Sequence, residues 1–392
     1  MQRIEGGICA VPGVRAAGVR HGKYGLALIA ASGTAAGMFT TNRVRAAPLE
    51  ITAKNLAGGH LDGVIANSGC ANAYTGPRGL EDARAMARLF ADFLGTDESR
   101  IGIGSTGVIG RYIDMQLIAS LFEQARANLR SSGEASLEAE KAIMTTDTRP
   151  KEIAVEHCGF RVAGIVKGAG MIEPNVATML CFLYTDADLS AAELKDCLKD
   201  AVMDSFNMLT VDGDTSTNDT VLLTATGKAK GRKSDFQEAL RYVCIELARM
   251  MARDGEGASK YFETVVCGAK SEKDARLAAK AVANSSLVKT AVYGADPNWG
   301  RIICAVGYSG AEMDPDKITL GLEGIDSDGH SLRVSLVEKG RIVDGVLDQA
   351  KEIMKGDTIT INIDLGLGNA SARGFGCDLT HEYVNVNADY TT

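Results

Sequence analysis

Thr178 is the residue with the most chemistry within reach. It closes the run Lys167-Gly168-Ala169-Gly170-Met171-Ile172-Glu173-Pro174-Asn175-Val176-Ala177-Thr178. A hydroxyl is a weak nucleophile until a base takes its proton. A break between Ala177 and Thr178 would create that base on the nucleophile itself, because a free α-amino group has a reference pKa of about 7.7–8.0. The local sequence suits such a break. Gly168 and Gly170 loosen the backbone, Pro174-Asn175 favours a sharp turn, and Lys167 supplies a cation upstream. The competing reading is a glycine-rich turn into a strand over 177–184, where a β-branched threonine is ordinary.

A second cluster lies at Gly102-Ile103-Gly104-Ser105-Thr106-Gly107. Its glycine spacing matches a dinucleotide fingerprint, but residues 95–100 before it read as a polar loop rather than a strand. The acid at the right distance, Glu123, falls inside a predicted helix. A turn whose main-chain N–H groups cradle an anion or oxyanion beside Thr106 is the functional alternative, and a plain tight turn the structural one. Residues 212–219, Asp-Gly-Asp-Thr-Ser-Thr-Asn-Asp, look like an acidic calcium loop without the closing glutamate, and read as a polar loop. Five histidines and nine cysteines are scattered, without metal-type spacing. No metal and no cofactor are expected, and the cysteines read as buried free thiols of a reducing cytoplasm.

The elements that must position these groups are mixed. Helical periodicity predicts helices over 79–94, 115–129, 135–144, 236–253, 272–283 and 346–354, with a capping box at Ser190 and Glu193 opening another. Short apolar runs predict strands over 8–11, 25–30, 36–40, 63–66, 153–157, 160–167, 221–226, 261–267, 302–306, 318–322, 331–337 and 358–363. A polar, small-residue loop over 67–73 follows one of them. Strands recur in neighbouring pairs between helices, which favours antiparallel or mixed sheets with helices on their outer faces.

At 392 residues the chain is long enough for two domains or one large layered one. The net charge of −8 argues against a nucleic-acid partner. No run is apolar enough to predict a transmembrane helix, and the start of the chain, with Arg3, Glu5 and Arg15, does not read as a signal peptide.

The 167–180 run resembles the self-cleavage segment of the ornithine acetyltransferase family, also called bifunctional glutamate N-acetyltransferase. Further segments match in the same order: 66–73, Thr145-Thr146-Asp147-Thr148, 204–207, 212–219, Asp254-Gly255-Glu256-Gly257-Ala258, 296–301 and 383–392. The resemblance implies an α/β fold, a four-layer αββα sandwich layered like the N-terminal-nucleophile hydrolases, with a smaller α/β lobe within 280–370. It implies an α chain of 1–177 and a β chain of 178–392, assembled as an α2β2 heterotetramer in the cytoplasm. Thr178 would be the nucleophile and Thr106 with Gly107 the oxyanion pair. Thr146, Lys167, Thr178, Glu256, Asn387 and Thr392 would contact substrate, with Thr148 the alternative to Thr146. The implied reaction moves an acetyl group from N-acetylornithine to glutamate. The residues leave open whether acetyl-coenzyme A is also a donor. They also leave open an amidohydrolase or aminopeptidase using the same threonine, and a non-enzymatic anion-binding protein. One departure stands out: Arg373-Gly374-Phe375 occupies a place where the family more usually has Ala-Thr-Ala-Trp before Gly-Cys-Asp, which bears on substrate scope.

Overall fold

The computed structural model describes residues 1–173, 179–325 and 329–389. Ala177, Thr178 and Thr392 therefore lie outside the described residues. The chain divides into two compact units. The first takes Met1–Asn207 and Asp214–Met251; the second takes Met208–Gly213 and residues 252–389.

The strands of the first unit are β1 (Gln2–Ile4), β2 (Arg15–His21), β3 (Tyr24–Phe39), β4 (His60–Ser68), β5 (Ile101–Ser105), β6 (Glu152–His157), β7 (Phe160–Lys167), β8 (Leu180–Ala187) and β9 (Thr220–Ala229). Among the described residues they form one nine-stranded sheet in the order β1-β6-β7-β8-β9-β3-β4-β5, with β2 paired to β3. Its helices are α1 (Ala47–Asn55), α2 (Gly76–Leu94), α3 (Met115–Ala127), α4 (Gly133–Ile143), α5 (Ala191–Met203) and α6 (Lys233–Arg253).

The first half of β3 pairs with β2 and β4. Beyond an irregularity between Ala30 and Gly33, its second half pairs with β9. The sheet thereby folds over on itself. Ala27, Ile29, Val64 and Ala66 of one half share a buried cluster with Ala163, Ile165, Phe182 and Tyr184 of the other, and α4 adds Ala139 and Ile143. The opposite side of the β3–β5 half, with Leu28, Ile65 and Ile103, packs on Phe90 of α2 and Phe122 of α3. On the other flank, the place a side chain would occupy at Gly164 of β7 is filled by Leu183, Leu247 and Val243, the last two from α6. These are the layers of an αββα sandwich. Each fully buried Leu, Ile or Phe contributes about 1.5–3 kcal/mol of burial free energy to it.

The second unit holds β10 (Tyr261–Ala269), β11 (Thr319–Ile325), β12 (Ser331–Glu338), β13 (Arg341–Ile342), β14 (Thr358–Asp364) and β15 (Ala370–Cys377). They form a six-stranded mixed sheet in the order β13-β12-β11-β14-β10-β15. The helices are α7 (Glu272–Asn284), α8 (Ser286–Tyr293), α9 (Trp299–Tyr308), α10 (Leu347–Lys355) and α11 (His381–Asp389).

Several expectations change. Residues 302–306 are helix α9, not strand. Ile302, Ala305 and Val306 are its buried positions, and the Asn298 side chain caps it by accepting from the Arg301 N–H. An apolar run this short has no periodicity to separate the two states, and the cap decides. The run at 8–11 is not strand but a 3₁₀ turn over Gly7–Ala10, closed by the Val11 N–H on the Ile8 carbonyl at 3.2 Å. The runs at 25–30 and 36–40 are one long strand. Residues 101–105, read as part of a turn, are strand β5, parallel to β4. Its glycines serve close packing: a Cβ at Gly104 would lie 3.2 Å from both Ala66 Cβ and Phe182 Cζ. Three of the nine cysteines, Cys158, Cys267 and Cys304, are exposed rather than buried.

Candidate active site

The first unit builds a buried donor cluster where β4, β5 and β7 end. Asn67, at the end of β4, is the tie. Its carbonyl accepts the Thr106 N–H at 3.0 Å, its Oδ1 accepts the Ser105 hydroxyl at 2.6 Å, and its Nδ2 donates to the Cys70 carbonyl at 2.9 Å. The loop read as polar and small therefore backs the Thr106 turn instead of lying in solvent. Gly107 has φ 126°, and a Cβ there would lie 2.4 Å from the Gly69 carbonyl carbon. Only glycine lets the two loops approach this closely.

Lys167, the last residue of β7, is 4% exposed and donates from Nζ to Thr106 Oγ1 at 3.0 Å. Thr106 Oγ1 is the acceptor in that bond, so its own hydrogen is left for another acceptor. Among the described residues nothing accepts the Gly107 N–H. A lysine-polarised hydroxyl and a main-chain N–H side by side make a ready pair of oxyanion donors.

Thr146 lies half-buried just after α4, and Thr148 is exposed. Between them, the fully buried Asp147 carboxylate joins this loop to the Lys167 strand end. It accepts the Gly168 N–H at 2.6 Å, the Lys151 ammonium at 2.6 Å and the Thr145 N–H at 3.0 Å. Burial pushes the Asp147 pKa up, but Lys151, Lys167 and these hydrogen bonds outweigh it and hold it at about 2. Glu140 of α4 goes the other way. Burial, then the negative charge of Glu152, raises it to about 9, with Lys151 only partly opposing. Its Oε1 accepts the Lys151 N–H and its Oε2 meets no donor among the described residues.

In the second unit, Glu256 and Asn387 come together. Asn387 Nδ2, on α11, donates to Glu256 Oε2 at 2.8 Å. The 254–258 loop is held to the start of α11 by Thr380, whose hydroxyl donates to the Gly257 carbonyl at 2.6 Å. Thus the structure brings Thr106, Gly107 and Lys167 together, with Thr146 joined through Asp147, and separately Glu256 with Asn387. Thr178, Ala177 and Thr392 lie outside the described residues.

Residues 12–392 match the ArgJ family. The chain belongs to the ArgJ family. Its relatives include the glutamate N-acetyltransferase of Methanothermobacter thermautotrophicus, 52% identical over 99% of this chain and 98% of that protein. The arginine biosynthesis bifunctional protein ArgJ of Archaeoglobus fulgidus is 48% identical over 98% of this chain and 100% of its own length. A solved chain of the bifunctional ArgJ of Bacillus halodurans is 38% identical and covers 52% of this chain and 96% of its own length, with a TM-score of 0.48.

Several residues of this ArgJ chain that position the site escaped the sequence reading. Asn218, in the loop read as polar and calcium-like, is buried. Its Nδ2 donates to the Ala71 carbonyl at 2.6 Å and the Ser105 carbonyl at 2.8 Å, joining the two loops behind Thr106. Asp147 stands out in the sequence only as part of a matching segment. No local signal singles out either, since 145–148 and 212–219 are polar runs whose burial comes from the elements packed around them. The unusual Arg373-Gly374-Phe375 has a local explanation in the second unit. Arg373 pairs with Glu263 across β15 and β10, and Phe375 is fully buried. A Cβ at Gly374 would lie 2.9 Å from the Ala279 carbonyl of α7. Among the described residues no helix is long and apolar enough to cross a membrane, and no cluster of His, Cys, Asp or Glu could hold a metal ion.

Proposed function

We propose that this chain cuts itself between Ala177 and Thr178 and then carries an acetyl group from N-acetylornithine to glutamate on the Thr178 hydroxyl, for arginine biosynthesis. The observation that carries the reading is the buried Lys167–Thr106 hydrogen bond beside the Gly107 N–H, which no described residue accepts, in a chain of the ArgJ family.

In the first stage Thr178 Oγ attacks the Ala177 carbonyl carbon and the peptide C–N bond breaks, leaving an ester and a free Thr178 amine. Water hydrolyses the ester. The amine then takes the proton of Oγ, which attacks the acetyl carbonyl of N-acetylornithine. The developing oxyanion is met by the Thr106 hydroxyl and the Gly107 N–H; losing one such donor costs about 3 kcal/mol of transition-state stabilisation. The acetyl C–N bond breaks, the proton passes to the departing amine, and ornithine leaves. The glutamate amine attacks the acetyl ester, N-acetylglutamate departs, and Thr178 is regenerated.

Lys167 presents its charge to a substrate carboxylate and Glu256 to the ornithine ammonium. Thr146, Asn387 and Thr392 complete the substrate contacts. The products of the cut, 1–177 and 178–392, work as an α2β2 heterotetramer in the cytoplasm, with a smaller α/β lobe within 280–370. These assignments rest on the match of each position to the family pattern.

A denaturing gel with N-terminal sequencing tests the first stage. Two fragments, the second starting at Thr178, are expected; active enzyme made of one intact chain would sink the proposal. For the second stage, N-acetylglutamate is measured with and without glutamate present. Free acetate at the same rate in both would mean that water, not glutamate, is the acceptor.

A further inference from the structure

The loop that carries Glu256 is fastened to the lead-in of α11 by a carboxylate that the mechanism above does not use. Asp378, just past the end of β15, is 3% exposed. Its Oδ1 accepts the Ser259 N–H at 2.9 Å and the Lys260 N–H at 3.0 Å, and its Oδ2 accepts the Ser259 hydroxyl. The Asp378 N–H in turn donates to the Lys260 carbonyl at 3.0 Å. The Lys260 ammonium goes to the Val292 and Met354 carbonyls at 3.0 and 2.7 Å, so among the described residues the bonds that Asp378 accepts come from main chain and a hydroxyl. From the other side α8 holds the same stretch. The Lys289 carbonyl accepts the Leu379 N–H at 3.3 Å, and the buried Lys289 ammonium donates to the Cys377 carbonyl.

These bonds fix both halves of one pair. Ser259 and Lys260 follow directly on the 254–258 loop, and Asp378 begins the segment that enters α11, where Asn387 sits. Thr380, already bonded to the Gly257 carbonyl, also accepts the Tyr383 N–H at 3.3 Å and so caps the helix. Gly257 has φ 67°, and a Cβ there would lie 2.4 Å from the Tyr383 nitrogen, so the loop has no slack against the helix. Asn387 then reaches Glu256 Oε2. That amide is neutral, and among the described residues no cation pairs with the half-buried Glu256, whose Oε1 accepts no hydrogen bond. A carboxylate held in this way keeps its charge for an incoming cation. We propose that Asp378 is a positioning residue for the donor's side-chain ammonium: by clamping residues 259–260 to the lead-in of α11 it sets where the Glu256 carboxylate stands, and with it the preference for an N-acetylated amino acid that carries a cationic side chain. This rests on the reading of Glu256 as the partner of the ornithine ammonium. A misplacement of about 1 Å at such a group costs up to about 100-fold, and the contact that suffers is the one to the side chain, not the one to the acetyl group.

The test measures kcat/KM for N-acetylornithine and for N-acetylnorvaline, which has the same carbon chain without the ammonium, in wild type, Glu256→Gln, Asp378→Ala and Asp378→Asn. Wild type should prefer N-acetylornithine, and Glu256→Gln should lose that preference. Asp378→Ala is expected to lower the preference about tenfold or more, through N-acetylornithine and not N-acetylnorvaline. Asp378→Asn keeps an oxygen for the two N–H groups and turns its amide to the Ser259 hydroxyl oxygen, so it should hold the preference within about threefold of wild type. A merely structural defect would lower both donors alike. An unchanged ratio in Asp378→Ala therefore overturns the proposal, as does Asn as impaired as Ala. If Asp378→Ala does not fold, Ser259→Ala, which removes the hydroxyl bond, is read by the same ratio: a drop supports the proposal and no drop overturns it. Wild type that transfers no acetyl group, or Glu256→Gln with its preference intact, would instead overturn the functional reading itself, whatever the Asp378 variants do.

Discussion

Glu140→Gln is expected to stabilise the protein at neutral pH, and the size of the gain follows from one buried group. The folded state holds the Glu140 pKa at about 9 against an ordinary value of 4.5. Between those values the unfolded chain gives up this proton and the folded chain keeps it, so the folded state binds more protons and stability falls as pH rises. Each pH unit costs about 1.36 kcal/mol, so at pH 7, some 2.5 units above 4.5, the cost is about 3 kcal/mol. Glutamine keeps the oxygen that accepts the Lys151 N–H and carries no charge. Its amide brings two N–H donors where the protonated carboxyl has one O–H, and an unpaired buried donor costs about 1–3 kcal/mol, so part of the gain is returned at every pH and the slope with pH is the decisive reading. Urea unfolding of wild type and Glu140→Gln at half-unit steps from pH 5 to 8.5 isolates the group. The stability difference should start below about 1 kcal/mol at pH 5 and widen by about 1.4 kcal/mol per unit. A difference that stays constant with pH, or a variant less stable than wild type at pH 7.5, would refute the reasoning.

Three further outcomes follow from the donor cluster. Thr106→Val keeps the shape, removes the hydroxyl that accepts from Lys167, and should lower kcat by about 100-fold or more; steady-state kinetics on processed, folded protein checks it. Asp147→Asn should destabilise the protein by about 2 kcal/mol or more at pH 7, since a carboxylate held at about 2 instead of 3.8 contributes its stability at every pH above the unfolded value. That contribution is lost only as pH falls through about 2, so the penalty measured by urea unfolding should be the same at pH 5 and pH 7. Asn218→Ala strands the Ala71 and Ser105 carbonyls, and should cost about 2–3 kcal/mol by the same method while slowing turnover, because Ser105 carries Thr106.

Legibility in the sequence followed the kind of physics involved. The long helices α2, α3, α6 and α7 were readable because a buried stripe repeats every three or four residues whatever it packs against. Strand β5 was not, because Gly102 and Gly104 have no side chains to alternate and their role is to admit Ala66 and Phe182 from other strands. Helix α9 failed for a similar reason, being an apolar run settled by a cap that one asparagine supplies. Helix α11 was hidden in a polar tail whose loop partners, such as the Gly257 carbonyl, stand far away in the chain.

By itself the sequence determined the family, and with it the kind of chemistry, through dispersed polar segments that keep one family's order. Chemical type is a property of side chains and of local spacing, and a linear sequence carries both. Only the tertiary structure decided which groups act on one another. It folded β3 from one layer into the next, set Lys167 on Thr106, and placed Asp147 between the 145–148 loop and Gly168. Those pairings join residues distant in the chain, and their charge states depend on burial, which is set by everything packed around them.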